Sequence, residues 1–211
     1  MTITYPLSMP SAPGIKGFRM TARDVVAAPE SPFTGGELIY DWQADWWEAE
    51  ITLPPMQRAA AEEWLAFLLS LYGKKGTFLL GDPDATTPRG VATGTPLVKG
   101  ASQSGIYLLT DGWTPSTTNI LKKGDYIQIG SGSSARLHKN LENVDSDASG
   151  NATLTLYPRL RQYPAAPADN AVITTTSAKG VFRLASNERG WDTDEACLFG
   201  ITFAAREAMI A

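Results

Sequence analysis

The sequence predicts a mainly β protein with one major α-helix, in which a smaller β-barrel is inserted into a larger β-domain. Three observations predict this class. Short runs of alternating apolar and polar residues recur along the chain. One segment alone carries the three- and four-residue apolar spacing of a helix. The texture of the chain changes after residue 90 and changes back near residue 180. The 211 residues are 43% apolar and 19% charged, with 19 Gly and 14 Pro, which describes a folded chain rich in turns rather than a disordered one. No apolar run reaches the ~18–20 residues that span a bilayer. The segment MTITYPLSMP lacks the basic and apolar regions of a signal peptide, so synthesis in the cytoplasm without membrane insertion is expected.

In chain order, residues 2–9 form a short strand stopped by Pro10, and SAPGIKG is a turn-rich connector. In GFRMTARDVVAAPE, Phe18, Met20 and Ala22 alternate with Arg19, Thr21 and Arg23, the pattern of a half-buried antiparallel strand. SPFTGGE is a loop. The strands ELIYDW and DWWEAEITL follow, separated by a tight hairpin around Gln43–Ala44–Asp45. In the second of them Trp47, Ala49, Ile51 and Leu53 share one face, and Trp46, Glu48, Glu50 and Thr52 share the other. Pro54 and Pro55 end the strand, because proline has no N–H for the ladder, and the same lack is harmless at the start of a helix.

That helix is expected from Pro55 or Met56 to about Tyr72. Met56, Ala60, Trp64, Phe67, Leu68 and Leu71 make its apolar stripe, and Arg58 lies four residues before Glu62 on the solvent side. Gly73 supplies the stop, with Lys74 and Lys75 beside the negative end of the dipole. GTFLL is a short buried strand, and GDPDATTPRG is a long turn that marks a boundary.

Between residues 91 and 179 helix signals vanish. IYLLT, DYIQIG, ARLHKNLENV, NATLTLYPRL and AVITTT are five short strands at roughly ten-residue spacing, a small barrel or sandwich. From Gly180 the earlier pattern returns: GVFRLAS and CLFGITFAAREAM are two strands that complete the first sheet, with WDTDE as the loop between them. Charge supports the insertion. Residues 1–90 hold 7 Lys and Arg against 11 Asp and Glu, residues 91–180 hold 8 against 6, and residues 181–211 hold 3 against 5. The two ends share a sign that the middle does not. The expected domains are therefore 1–90 with 180–211, and 91–179.

Catalytic sets are sparse. One cysteine, Cys197, excludes an internal disulfide, and its place in the run ACLFGITF predicts a buried thiol. One histidine, His138, excludes most metal and triad chemistry, and its neighbours Arg136 and Lys139 predict a surface position. Glu48 and Glu50 share a strand face and could pair for glycoside hydrolysis, although such a pair is more often a solvated sheet face. GTFLLGD and KKGDYIQIG lack the context of a phosphate loop. The net charge of −4 and pI near 5.1 disfavour a protein whose task is to grip nucleic acid. No catalytic, metal or cofactor site is expected. The aromatic residues carry the stronger signal. Trp46 and Trp47 are strand neighbours and face opposite ways, so one fills the core and the other meets a helix, a subunit or solvent.

The wording YDWQADWWEAEITLPPM…AAAEEWLAFLLSLYGKKGTFLLGDP resembles the distal tail proteins of long, non-contractile-tailed bacteriophages, and GVFRLASNERGWDTDEACLFGITFAARE resembles the closing hairpin of that fold. Trp42, Trp46, Trp47, Pro54, Pro55 and Trp64 carry the likeness. It implies a tail-tube-like β-sandwich or barrel flanked by a helix, and it implies that residues 91–179 form an inserted oligosaccharide/oligonucleotide-binding-like (OB-like) barrel. It also implies a virion structural protein that is not an enzyme: six copies in a ring at the tail tip, bound to the tail tube protein and to baseplate hub or tail-fibre proteins. Genomic DNA would pass through the lumen, which acidic charge in the ring domain would keep from sticking. The rival readings are a carbohydrate-binding module used in host adsorption, a tube or connector protein, and a glycosidase using the Glu48/Glu50 region.

Overall fold

The computed structural model describes residues 2–163 and 165–209. The protein is mainly β, with one α-helix among those residues, and its strands form two six-stranded sheets and a small hairpin. The first sheet has the order β1 (Leu7–Ser8), β4 (Phe78–Leu80), β11 (Gly180–Leu184), β14 (Thr202–Glu207), β3 (Tyr40–Thr52) and β2 (Gly17–Ala27). Only its β1–β4 pair is parallel. The second sheet has the order β10 (Ile173–Thr174), β7 (Tyr126–Ile129), β8 (Arg136–Asn140), β9 (Ala152–Leu160), β6 (Gly105–Trp113) and β5 (Gly94–Val98). A bridge between Leu97 and Val172 brings its two edges together, so it curls into a nearly closed barrel around Val98, Leu108, Ile127 and Leu154. The barrel has six strands where the sequence shows five. The additional strand, β5, holds Pro96 beside a register shift, and proline in a short run hides a strand from pattern reading.

The helix α1 (Arg58–Ser70) covers one face of the first sheet. Trp64, Leu65, Phe67 and Leu68 are buried, and a chain of ring contacts runs Trp64–Phe67–Phe78–Phe203 with centroids 6.0, 5.5 and 6.3 Å apart. The Trp64 indole N–H donates to the Ala12 carbonyl at 3.2 Å, which satisfies its one polar atom. Arg58 and Glu62 pair at 3.2 Å on the solvent side. The helix stops where Tyr72 and Gly73 take left-handed backbone, φ 48° and 70°. A Cβ at residue 73 would also lie 2.6 Å from Asn187 Oδ1, so glycine is required there twice over.

The largest departure from the sequence reading is at the centre of the chain. No hairpin turn occurs at Gln43–Asp45; Tyr40–Thr52 is one strand of 13 residues, paired along its length with β2. Gln43 sits at φ 55°, its N–H bonds the Asp41 carboxylate at 2.8 Å, and the β2–β3 register shifts between Asp24 and Val26. A turn and a bulge ask for the same local chemistry, a left-handed residue beside a short acid, and here the sequence builds a bulge. From Asp45 onward the expected alternation is present, with Trp47, Ala49, Ile51 and Leu53 buried.

Three smaller corrections follow from context. WDTDE is not bare loop: β12 (Asp192–Thr193) pairs with β13 (Phe199–Gly200), and β14 begins only at Thr202. Cys197 is exposed rather than buried, because it sits in the turn of that hairpin at φ 57° and the apolar strand starts after it. His138 is buried rather than on the surface. Leu137 beside it is also buried, so β8 is covered on both faces and strand alternation no longer separates inside from outside.

The two sheets share a core. Tyr126 and Leu137 of the barrel belong to the cluster that contains Trp47, Ile51 and Phe182. The Trp47 ring meets Tyr157 edge-on at 4.9 Å, and its indole N–H donates to the Leu137 carbonyl at 3.1 Å. At the entry to the barrel the buried Asp125 accepts the backbone N–H groups of Arg89, Gly90 and Lys122 at 2.8, 3.0 and 2.8 Å. Trp47→Ala is therefore expected to lower the unfolding free energy by ~3–5 kcal/mol, whereas Trp46→Ala should cost ~1 kcal/mol or less. Denaturant unfolding of the two variants checks this; equal losses would mean that Trp46 is as structural as Trp47.

Candidate assembly surface

Beyond the bulge, β2 and β3 continue as a hairpin whose connecting segment, residues 28–39, leads back into Tyr40. Apolar side chains crowd this end. Phe33 is 94% exposed, Trp42 60%, Ile39 58% and Leu38 57%, and Val26 and Tyr40 are about half exposed. Tyr40 and Trp42 stack on each other with centroids 6.3 Å apart and planes 27° apart. Such a grouping of large apolar residues on one projection is a surface that gains from being covered. Its strand β2 is also an edge of the first sheet, 11 residues long and paired on one side only. An edge of that length offers a row of backbone donors and acceptors to another chain.

The base of this hairpin is held by a clasp of charges between the sheets. Arg159 forks onto Asp41, with Nη1 and Nη2 donating to the two carboxylate oxygens at 3.0 and 2.7 Å. Arg161 forks onto Glu207 at 3.2 and 3.3 Å and also donates to the Asp45 carbonyl. The Asp45 carboxylate accepts the Arg159 backbone N–H and lies 3.7 Å from its Nε. Glu207 accepts the Trp47 N–H at 3.2 Å. Asp45 and Glu207 are both almost fully buried, so these bonds replace the water the carboxylates lose. The bond from Arg159 holds the Asp41 carboxyl below its ordinary range, while burial pushes that of Asp45 up against the pull of both arginines.

Beside the clasp is a hollow of about 240 Å³ bordered by Arg136, His138, Arg161, Tyr163 and Glu207. The His138 Nδ1 lies 2.7 Å from the Pro158 carbonyl, which can only accept, so this nitrogen carries the proton. Burial pulls the His138 pKa down to about 4, more than the Pro158 bond raises it, and the positive charge of Arg161 and Arg136 adds to the fall.

The residues singled out in the sequence do not form one site. Trp42 is on the hairpin tip. Trp46 is half-buried on the uncovered face of the sheet, where the Arg206 guanidinium lies 4.2 Å above its ring and its N–H donates to Glu48 at 3.1 Å. Trp47 and Trp64 are core residues, and Pro54 and Pro55 lie in the link between β3 and α1. Glu48 is taken by Arg23 at 2.9 Å, and the bonds from Arg23 and Trp46 hold its carboxyl below the ordinary range, the wrong direction for a general acid. Among the described residues no group of three or more His, Cys, Asp or Glu could hold a metal ion. Sequence reading did not find Asp45, Arg159, Arg161 and Glu207 as a unit. The available signal was phase: Asp45 and Glu207 fall on the core-facing parity of their strands, where a carboxylate needs a partner.

Neither protein-family models nor curated proteins return a match to this sequence.

Stability should depend on pH through His138. Above about pH 6.5 the ring is neutral folded and unfolded, and its burial costs nothing in protonation. Between about pH 6.5 and 4 the unfolded chain takes up a proton that the folded one refuses, so stability falls with pH by about 3 kcal/mol in all. Urea unfolding across that range should show the slope in the wild type and a smaller one in His138→Gln; identical slopes would assign the effect to other groups.

Proposed function

We propose that this chain is a bacteriophage virion structural protein: a subunit of the ring at the distal end of a long, non-contractile tail. In this reading six copies close a ring that joins the tail tube protein to baseplate hub or tail-fibre proteins, and genomic DNA crosses its lumen without being held. The likeness of the strand–PP–helix–strand wording to distal tail proteins motivates the choice of family. The observation that carries the assembly role is the projecting hairpin, with Tyr40 stacked on Trp42 beside a long free edge strand. The clasp of Arg159 on Asp41 fixes the base of that hairpin, so a partner would meet a surface already ordered. The barrel of β5–β10, read as the OB-like insertion, would sit on the outside of the ring as a platform for other tail proteins.

Negative-stain electron microscopy and mass photometry of the purified chain test this reading. Sixfold rings are expected at high protein concentration or on addition of tail tubes. The pair Ile39→Ser and Trp42→Ser should weaken assembly roughly 30-fold or more, the scale of a buried aromatic anchor, with little change in monomer unfolding. A wild-type chain that stays monomeric under both conditions would sink the ring reading.

A further inference from the structure

The face of the first sheet that α1 does not cover is polar and unusually cationic. A hollow of about 590 Å³ lies across it, bordered by Arg19, Arg23, Lys74, Arg183 and Arg206 against only Glu48 and Glu50. In a chain of net charge −4 this is a local excess of three positive charges. Within it, Arg183 and Arg206 are direct cross-strand partners on β11 and β14. Like charges in that position repel, and sheets ordinarily avoid them. Glu48 stands opposite Arg206 on the next strand but is also bonded to Arg23 and to Trp46, so one carboxylate is shared by two arginines and none stands opposite Arg183. Arg206 instead lies over the Trp46 ring. The Arg183 Nε is buried and makes no hydrogen bond among the described residues. A buried guanidinium N–H without an acceptor, beside a second arginine that shares its one carboxylate with Arg23, describes a site short of an anion.

The same chain carries the matching group. The hairpin of β12 and β13 and the segment before it hold Glu188, Asp192, Asp194 and Glu195 against the single Arg189, an excess of three negative charges. Residues 192–196 are all exposed. Trp191, 45% exposed, stands at its start as an apolar anchor. The excesses are equal and opposite, and they belong to different elements of one chain. A contact between unlike patches of identical chains is heterologous, and heterologous contacts close into rings.

We infer that the acidic β12–β13 hairpin of one copy docks on the Arg183–Arg206 face of the next. This inference rests on the ring reading above and names the contact that would close the ring. The occupant of the arginine site is then a carboxylate of the neighbouring copy, with Asp192 and Glu195 as the donors of charge, since Asp194 accepts the Leu198 N–H at 2.8 Å within its own turn.

A charge swap tests it. The face variant combines Arg183→Glu with Arg206→Glu, and the hairpin variant combines Asp192→Lys with Glu195→Lys. Each alone is expected to lose rings that the wild type forms while keeping a cooperative unfolding transition, which circular dichroism checks. Mixed in equal amounts they should form rings again, since alternating copies pair altered face with altered hairpin and native face with native hairpin. Added salt should weaken the wild-type rings. If the wild type forms rings and the folded variants do too, or if the mixture does not restore them, the inferred contact is wrong while the ring reading stands. If the wild type forms no ring under any condition, both fall. Tight binding of poly-dT by the wild type, lost in the face variant, would overturn the inference by assigning the arginines to nucleic acid.

Discussion

The architecture depends on the clasp that Arg159 and Arg161 of the β9 segment make with Asp45 of β3 and Glu207 of β14. Two carboxylates are buried here, and a buried carboxylate without partners would be far more costly than any single apolar contact could offset. The geometry answers that cost with the fork of Arg161 on Glu207, backbone N–H groups from Arg159 and Trp47, and both guanidinium groups beside Asp45. Such a unit adds modest net stability compared with an apolar replacement, but removing one member strands the rest at a cost of ~3–5 kcal/mol. Its value is therefore positional. It admits one seating of the barrel on the first sheet, the one in which the Trp47 N–H meets the Leu137 carbonyl.

Because Asp45 and Trp47 are two residues apart, one strand face delivers both the charge and the aromatic ring to the barrel. The same face then delivers Ala49, Ile51 and Leu53 to the helix-covered core. Toward its other end the strand passes through the bulge at Gln43 and enters the exposed tip. A single 13-residue strand thus connects the core, the inter-sheet joint and the projecting hairpin. The fork of Arg159 on Asp41 lies just before the bulge and ties the tip's orientation to the barrel. In physical terms, the barrel is part of what makes the hairpin stiff.

Much of this was legible in the sequence where the physics is local. The alternation from Trp46 to Leu53 and the stripe from Met56 to Leu71 correspond to strand and helix faces, because period alone decides them. What was not legible depends on residues far apart in the chain. Arg159 lies 114 residues from Asp45, and no local pattern pairs them. The bulge was misread as a turn because Asp41 and Gln43 use turn chemistry for another end. His138 was misplaced because β8 is buried on both faces, a fact about its neighbours rather than its own sequence. Pro96 concealed β5 by breaking the pattern that would have announced it. The phase of Asp45 was visible and underused: an acid in register with Trp47, Ala49 and Ile51 already demands a buried cation.

The same logic of phase separates the two faces of the first sheet. On the core side the buried carboxylates of Asp45 and Glu207 are bonded by arginine and backbone N–H groups. On the open side two arginines oppose each other and one guanidinium nitrogen is unbonded. A sheet optimised for an isolated molecule would place a carboxylate opposite Arg183, as Glu48 stands opposite Arg206 and Glu50 opposite Arg19. The open face therefore keeps positive charge that the single chain does not fully bond. The Arg183–Arg206 pair lies on the face that α1 does not cover, and the excess charge there has the sign opposite to the chain as a whole. An interaction that supplies negative charge from outside the subunit accounts for both facts, and a second copy of an acidic chain is a source that needs no further component.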